Sequence, residues 1–277
     1  MPHAQISILG CGWLGQPLAL TLQQSGHSIV ATCRSEDKAK KLTKLGLTTK
    51  IYNLGEDLTQ SHLSALFSSQ ILVLNIPVGR KNPDQKGFLE EIKKLLAYAA
   101  NTCIEKVIFV STTSIYGDSE GVVTETSIPD PQTESAHTNL AIEALVSRYF
   151  SGKSTIIRLA GLVGQDRHPA KYLAGKVDLT NPHQVVNLVH QQDVIRAIKN
   201  IIKDELWSQT LHLCAQQHPT RSEYYSFAAK QLGLPLPTFI QSTEQKRGKW
   251  IDPSESLKRL KMSLAYPSPF DMIGDKA

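Results

Sequence analysis

The sequence predicts an α/β fold, a doubly wound parallel sheet followed by a smaller lobe, and three observations carry that reading. First, the apolar run Ile6 to Leu9 breaks into Gly10-Cys11-Gly12-Trp13-Leu14-Gly15 and then into a helical pattern. Second, strand-like and helix-like segments alternate through Leu159 at a spacing that suits helices on both faces of a sheet. Third, the pattern changes beyond Gly161, where Pro169, Pro182, Pro219, Pro235, Pro237, Pro253, Pro267 and Pro269 divide the chain into short elements. A chain of 277 residues is long enough for one large α/β domain with an appended lobe. The expected division is 1–162 for the larger domain and 163–277 for a substrate lobe that partly returns to the sheet.

Each element has its own signal. Gln5 to Leu9 is the first strand, and the helix Leu14 to Ser25 follows, with Leu14, Leu18 and Leu22 on one face and Gly26 ending it. Ser28 to Thr32 and Thr49 to Asn53 read as the next strands, separated by the short helix Glu36 to Leu45. Ser61 to Ser68 is a second short helix before the strand Ile71 to Ile76. The long helices Lys86 to Thr102 and Ser135 to Phe150 bracket the strand Val107 to Ser111, and Ser154 to Leu159 completes the alternation. In the lobe, His183 to Leu188 and Thr210 to Cys214 read as strands, and Gln191 to Lys203 and Arg221 to Leu232 as helices, the last stopped by Gly233.

The glycines suggest the first chemistry. Gly10 suits a tight turn leaving a buried strand, Gly12 lets the main chain meet a pyrophosphate, and Gly15 lets helix pack closely on strand. With Trp13 and Leu14 opening the helix, its free N–H groups aim at phosphates, so the stretch reads as a Rossmann-type dinucleotide site, the alternative being a plain strand-to-helix corner. A carboxylate at the end of the second strand would accept both ribose hydroxyls of NAD. Here that position is Cys33-Arg34-Ser35, with Lys38 one helical turn on. A guanidinium offers a 2′-phosphate a bidentate pair and the serine adds a donor, which favours NADP, with NAD possible. Glu36 and Asp37 come late and suit the cap of the next helix.

Bulk composition excludes several classes. With 41% hydrophobic and 20% charged residues the chain reads as an ordinary globular protein. Its net charge of +5 is scattered rather than concentrated, so nucleic acid is not an expected partner. Cys11, Cys33, Cys103 and Cys214 form no CxxC pair and read as reduced thiols, and the histidines show no metal-ligand spacing, so no metal is expected. Met1 to Gln5 lacks the positive charge that opens a signal peptide, and no run reaches the ~18 apolar residues of a membrane helix. The expected location is cytoplasmic.

From Val107 to Gly117 the segment VIFVSTTSIYG resembles the end of the fifth strand in the extended short-chain dehydrogenase/reductase family, the NAD-dependent epimerase/dehydratase-like group. The likeness continues through Pro131-Gln132-Thr133, through Ile157 to Gly164 (IRLAGLVG), and through Val186 to Val194 (VNLVHQQDV). What it implies is a hydroxyl on the reacting oxygen five positions before the SIYG glycine, which is Thr112, flanked by Ser111, counted among the cofactor contacts, and by Ser114. It also implies a tyrosine general acid/base with a lysine four residues later. Alignment puts Ser135 and Asn139 in those positions, and neither titrates near neutral pH. The pattern is similar to that of an atypical subgroup, with GxGxxG in place of the commoner GxxGxxG.

Two residues from the tyrosine position, His137 has a pKa suited to proton transfer, but about 200° of helical rotation separates it from Ser135. Tyr116 ranks below it as a cleft-wall residue. After the fourth strand, Pro77 and Gly79 shape the turn along which the nicotinamide half passes, with Arg80 as an anion contact. Arg167 and His168 read either as contacts to an anionic substrate or as loop residues, and His190 as a substrate contact or a structural residue. Asp193 reads as the cap of a helix from Val194. Gln245 to Trp250, basic with one aromatic, reads as a solvated loop or as a hold for the phosphate of a nucleotide-linked substrate. The expected activity is an NADP(H)-dependent oxidoreductase or epimerase/dehydratase acting on a small-molecule substrate. The alternative is a redox sensor or scaffold that binds the dinucleotide without chemistry, and by the resemblance a homodimer through the two long helices is expected.

Overall fold

The computed structural model of the chain describes residues 5–79, 82–164, 166–242 and 245–273, so the contact expected of Arg80 lies outside the described residues. In chain order the elements are β1 (Gln5–Leu9), α1 (Gly15–Gln24), β2 (Ser28–Cys33), α2 (Glu36–Lys44), β3 (Thr48–Ile51), α3 (Ser64–Phe67), β4 (Ile71–Leu74), α4 (Gln85–Ala99), β5 (Lys106–Thr112), β6 (Gly121–Val123) and α5 (Glu134–Tyr149). There follow β7 (Ser154–Leu159), β8 (Gly161–Val163), α6 (Ala170–Leu173), β9 (Leu188–His190), α7 (Gln191–Lys203), β10 (Gln209–Leu213), α8 (Arg221–Gln231), β11 (Lys249–Ile251) and α9 (Ser254–Arg259).

Seven strands form one sheet in the order β10-β7-β5-β4-β1-β2-β3, a Rossmann-type arrangement, and the described pairings β1–β2, β1–β4, β2–β3 and β4–β5 are parallel. The chain winds outward from β1 to β3 and resumes on the other side of β1 with β4. That reversal makes the carboxyl ends of β1 and β4 the switch point where open α/β sheets hold ligands. Both strands are buried on both faces; β4 is apolar throughout, and β1 is apolar but for Ser7, whose hydroxyl is spent on the Leu66 carbonyl and Ser69. On α4 the buried residues Ile92, Leu95, Leu96 and Ala99 repeat at helical spacing and pack with Val107 and Phe109 of β5 and with Ile142 and Val146 of α5.

By compactness the chain divides into two units, each assembled from separate segments. One comprises residues 1–115, 131–157 and 198–210, and the other 116–130, 158–197 and 211–277. Compactness thus divides the chain differently from the functional boundary expected at 162/163. Within the second unit β11 pairs with β6 and β8 with β9, both in parallel and each over three residues. The strand expected over His183 to Leu188 is instead β9, starting at Leu188. Val185 makes only a single bridge to Thr220, and the Val186 amide bonds to the Pro219 carbonyl, so neither residue extends a ladder. The helix expected from Ser61 to Ser68 forms as a 3-10 turn, Ser61–Leu63, followed by α3.

Asp193 is likewise corrected. It sits inside the first turn of α7, fully buried, and accepts from the amides of Ala265 and Tyr266 while pairing with Arg196 at 3.1 Å. It fastens the chain after α9 to α7 instead of capping a helix.

His168 is turned inward in the second unit. Its Nδ1 accepts from the Ala170 amide at 3.2 Å and its Nε2 lies 2.9 Å from the Tyr224 hydroxyl. Burial, with Lys171 nearby, holds its pKa at about 4. Burial also depresses His212 and His218. Between about pH 6.5 and 4 the unfolded chain takes up protons that His168 and His218 refuse, so stability falls on acidification, by about 1.4 kcal/mol per pH unit for each of the two. Denaturant unfolding across that window is expected to show this slope. His168→Asn, which keeps an acceptor near Nδ1, is expected to make it shallower by about one proton; an unchanged slope would count against the assignment.

Candidate active site

At the corner between β1 and α1 the main chain packs against itself. Gly10 has φ +96, and a Cβ there would lie 2.4 Å from the Asn75 carbonyl oxygen; a Cβ on Gly15 would lie 2.3 Å from the Gly10 carbonyl oxygen. Backbone atoms cannot yield to such contacts, so both positions exclude side chains. The Asn75 amide nitrogen donates to Leu9 at 2.9 Å and its side-chain Nδ2 to the Gly10 carbonyl at 3.0 Å, joining the end of β4 to the corner. From β2, the Thr32 hydroxyl accepts from the Gly10 amide at 3.0 Å and its carbonyl accepts from Cys11 at 2.8 Å.

Gly12 differs from both. It is exposed, has no positive φ, and a Cβ on it would meet nothing within 4 Å. Its carbonyl accepts from Gln16 at 3.0 Å, while its own amide donates no main-chain hydrogen bond among the described residues. Trp13 is half-buried, and Leu14, at the helix entrance, is buried with no side-chain cap. The Cys11 thiol beneath the loop is buried, which raises its pKa to about 11 and keeps it protonated.

After β2, Arg34 is exposed and makes no side-chain hydrogen bond or ion pair among the described residues. Ser35 is the N-cap of α2: its hydroxyl accepts from the Lys38 amide at 3.4 Å. Glu36 and Asp37 occupy the first turn, where the helix dipole favours carboxylates. Lys38 is half-buried, and its ammonium donates to Gln16 on α1, which brings a positive charge beside the glycine loop. On the β4 side, Pro77 is exposed in the turn after the strand.

The β5 end carries three hydroxyls with different duties. Ser111 is buried and donates to buried Glu143 of α5 at 2.6 Å, so its hydroxyl locks strand to helix. Thr112 is half-buried; its hydroxyl donates to Ser114 Oγ at 3.1 Å and accepts from the Ser114 amide at 3.1 Å. Thr112 and Ser114 are therefore tied to each other at the end of β5. On α5, whose N-cap is Thr133, Ser135 and Asn139 are half-buried one turn apart, and Asn139 Nδ2 donates to the Ser135 carbonyl at 2.7 Å. His137 lies exposed on the helix.

The other candidates fall in the second unit and are mostly internal. Tyr116 is fully buried; its phenol oxygen lies 2.7 Å from His212 Nε2 and accepts from Arg158 at 2.5 Å. His190 is buried and stacks on Tyr266 with ring centroids 3.8 Å apart. Asn187 acts as a surrogate strand for β11: its Nδ2 donates to the Lys249 carbonyl and its Oδ1 accepts from the Ile251 amide, both at 2.9 Å. Lys249 donates to the Gly117 carbonyl, and burial depresses its pKa. The basic run is thus partly β11, with Arg247 and Trp250 exposed. Among the described residues no group of three or more His, Cys, Asp or Glu could hold a metal ion, and no helix is long and apolar enough to cross a membrane.

Comparison with known proteins agrees with this architecture. Residues 6–204 match the model of the NAD dependent epimerase/dehydratase family. The chain is 33% identical to Protein YeeZ of Escherichia coli strain K12 over 270 residues, covering 97% of this chain and 98% of that one. Its fold is similar to that of a UDP-glucuronic acid 4-epimerase from Bacillus cereus solved with NAD, at 18% identity and a TM-score of 0.79, covering 97% and 96% of the two chains. A conserved protein of unknown function from Silicibacter pomeroyi is similar at 19% identity and a TM-score of 0.76, covering 98% and 96%. On its sequence and its sheet alike, the chain belongs to the NAD-dependent epimerase/dehydratase family.

Proposed function

We propose that the chain binds a nicotinamide dinucleotide on the loop Gly10 to Gly15, prefers the phosphorylated form, and uses it on a small polar or anionic, nucleotide-linked substrate. The observation that carries this reading is the asymmetry of the three glycines. Packing explains Gly10 and Gly15, but nothing in the fold requires Gly12 to lack a side chain, so the close approach it permits is that of a ligand. A diphosphate would meet the Gly12 amide and the opening turn of α1. The adenosine 2′-phosphate would meet Arg34, with Lys38 adding positive charge. When bound, the nicotinamide supplies hydride acceptance and donation.

The protein's own part is proton handling and orientation. The Thr112–Ser114 pair donates to the reacting oxygen of the substrate and stabilises negative charge there. Ser135 and Asn139 hold no titratable proton, and Asn139 is tied to the helix backbone, so the proton passes through water at Ser135 in place of a tyrosine. His137 is placed too far around the helix from Ser135 to share that duty. The same two residues favour a second reading, binding without turnover, in which the dinucleotide reports redox state.

Calorimetric titration separates the roles. Gly12→Ala is expected to weaken NADPH binding by at least about tenfold while leaving stability within about 0.5 kcal/mol. Gly15→Ala, by contrast, is expected to lose about 1–3 kcal/mol of stability. Equal effects of the two variants on stability would contradict the assignment of their roles. Arg34→Ala is expected to weaken NADPH by about tenfold or more and leave NADH unchanged; equal losses would remove the phosphorylated preference. In a panel of carbonyl substrates, Thr112→Val is expected to lower NADPH oxidation about 100-fold, and tight binding with no turnover in the unaltered chain would establish the second reading.

A further inference from the structure

One groove in the second unit takes in Arg247 and Trp250 of the basic run together with side chains that lie well outside that run. It encloses about 710 Å3 and is lined by His218, Pro219, Phe227, Arg247, Trp250 and Phe270. A volume of this order holds a drug-sized small molecule. Trp250 and Phe227 are about 40% exposed, unusual for large aromatics on a surface that covers nothing else. Phe227 is braced edge-on by Phe270 at 4.9 Å between centroids.

The polar groups converge on the same space. His218 is only 8% exposed and packs on Trp250 at 4.9 Å between ring centroids. No side chain among the described residues bonds its ring nitrogens, and the Val186 main chain is the one backbone group that acts on the ring by hydrogen bonding. A ring nitrogen left open in a largely water-free place offers a ligand a hydrogen bond. Burial holds the ring neutral, with a pKa of about 4, so it offers one donor and one acceptor at neutral pH. Arg247 supplies the positive charge: its guanidinium is exposed and has no side-chain hydrogen bond or ion pair among the described residues. Glu223 at the edge is held by the Thr220 amide and hydroxyl in a capping box; it stays ionised and partly offsets the charge of Arg247.

The geometry points to a small-molecule site here for a planar aromatic ring that carries an acidic group, the ring lying against Trp250 and Phe227, its polar edge on His218, and its carboxylate or phosphate on Arg247. Stacking on an indole and a charge-assisted bond to a guanidinium each contribute on the scale of 1–3 kcal/mol, which suits micromolar to millimolar binding of a single-ring acid.

The full chain is titrated with 1-naphthoate, 1-naphthyl phosphate and uncharged 1-naphthylmethanol, with heat and energy transfer from tryptophan as readouts. At least one acid is expected to bind more tightly than about 1 mM and at least about tenfold more tightly than the alcohol; which acid wins distinguishes a carboxylate ligand from a phosphate ligand. Arg247→Gln is expected to erase the preference for acid over alcohol, and Trp250→Leu to weaken all three probes while removing the transfer signal. Both residues are exposed, so both variants are expected to unfold at the same temperature as the parent. Absence of binding by either acid below about 1 mM, or binding untouched by Arg247→Gln and Trp250→Leu, would overturn the proposal. Because no dinucleotide is present in the titration, failure here leaves the reading of the glycine loop standing, and failure of that reading leaves this one.

Discussion

The structure depends on a backbone-to-backbone contact that admits no Cβ atom. Where β1 turns into α1, the carbonyls of Asn75 and Gly10 occupy the positions that side chains at Gly10 and Gly15 would need. That contact sets the start of α1 at the carboxyl ends of β1 and β4, the point where the strand order reverses. Thr32 and Asn75 then fix the loop from either side through the Gly10 main chain. The fold accounts for two of the three glycines, and packing leaves the third, Gly12, unexplained.

Much of the fold is legible in the sequence, for a physical reason. Strands buried on both faces are mostly apolar, and amphipathic helices repeat every three to four residues, so β1, β4, β7, α4 and α5 announce themselves locally, even though β1 carries buried Ser7 and β7 buried Thr155 and Arg158. The elements that escape sequence reading are those stabilised from a distance. β6 and β11 are three residues each and pair across more than a hundred residues of chain, and β8 and β9 are as short. The strand signal over His183 to Leu188 was real in its apolar content, but its first residues bond singly to Thr220 and Pro219 while Asn187 spends its side chain on β11.

Site residues divide along the same line. Gly10 and Gly15 are legible because their absence of a side chain is the signal and the backbone contacts of the corner require it. Hydroxyls are not, since Ser111, Thr112 and Ser114 are chemically alike and only the fold directs one to Glu143 and the other two to each other. Histidines mislead for a related reason. His168 and His190 sit in polar-looking stretches, yet the first bonds to Tyr224 and the second stacks on Tyr266, both indoors. Asp193 resembles a cap until the chain at Ala265 and Tyr266 is seen to lie against it. His218 carried no signal at all, because the burial of an imidazole is a property of its surroundings.

The chain belongs to the NAD-dependent epimerase/dehydratase family, and Ser135 and Asn139 stand one turn apart near the start of α5, half-buried and without a titratable proton. The glycine corner between β1 and α1 is built by backbone contact, and dinucleotide binding there is the proposal on which any activity rests. The most direct measurement is a titration of the isotopically labelled chain with NADPH, followed by amide chemical shifts. The account predicts that the largest changes fall on Gly12, Trp13 and Leu14, with the Arg34 side chain next. Shifts spread over the surface, or a loop that does not respond at millimolar nucleotide, would contradict it.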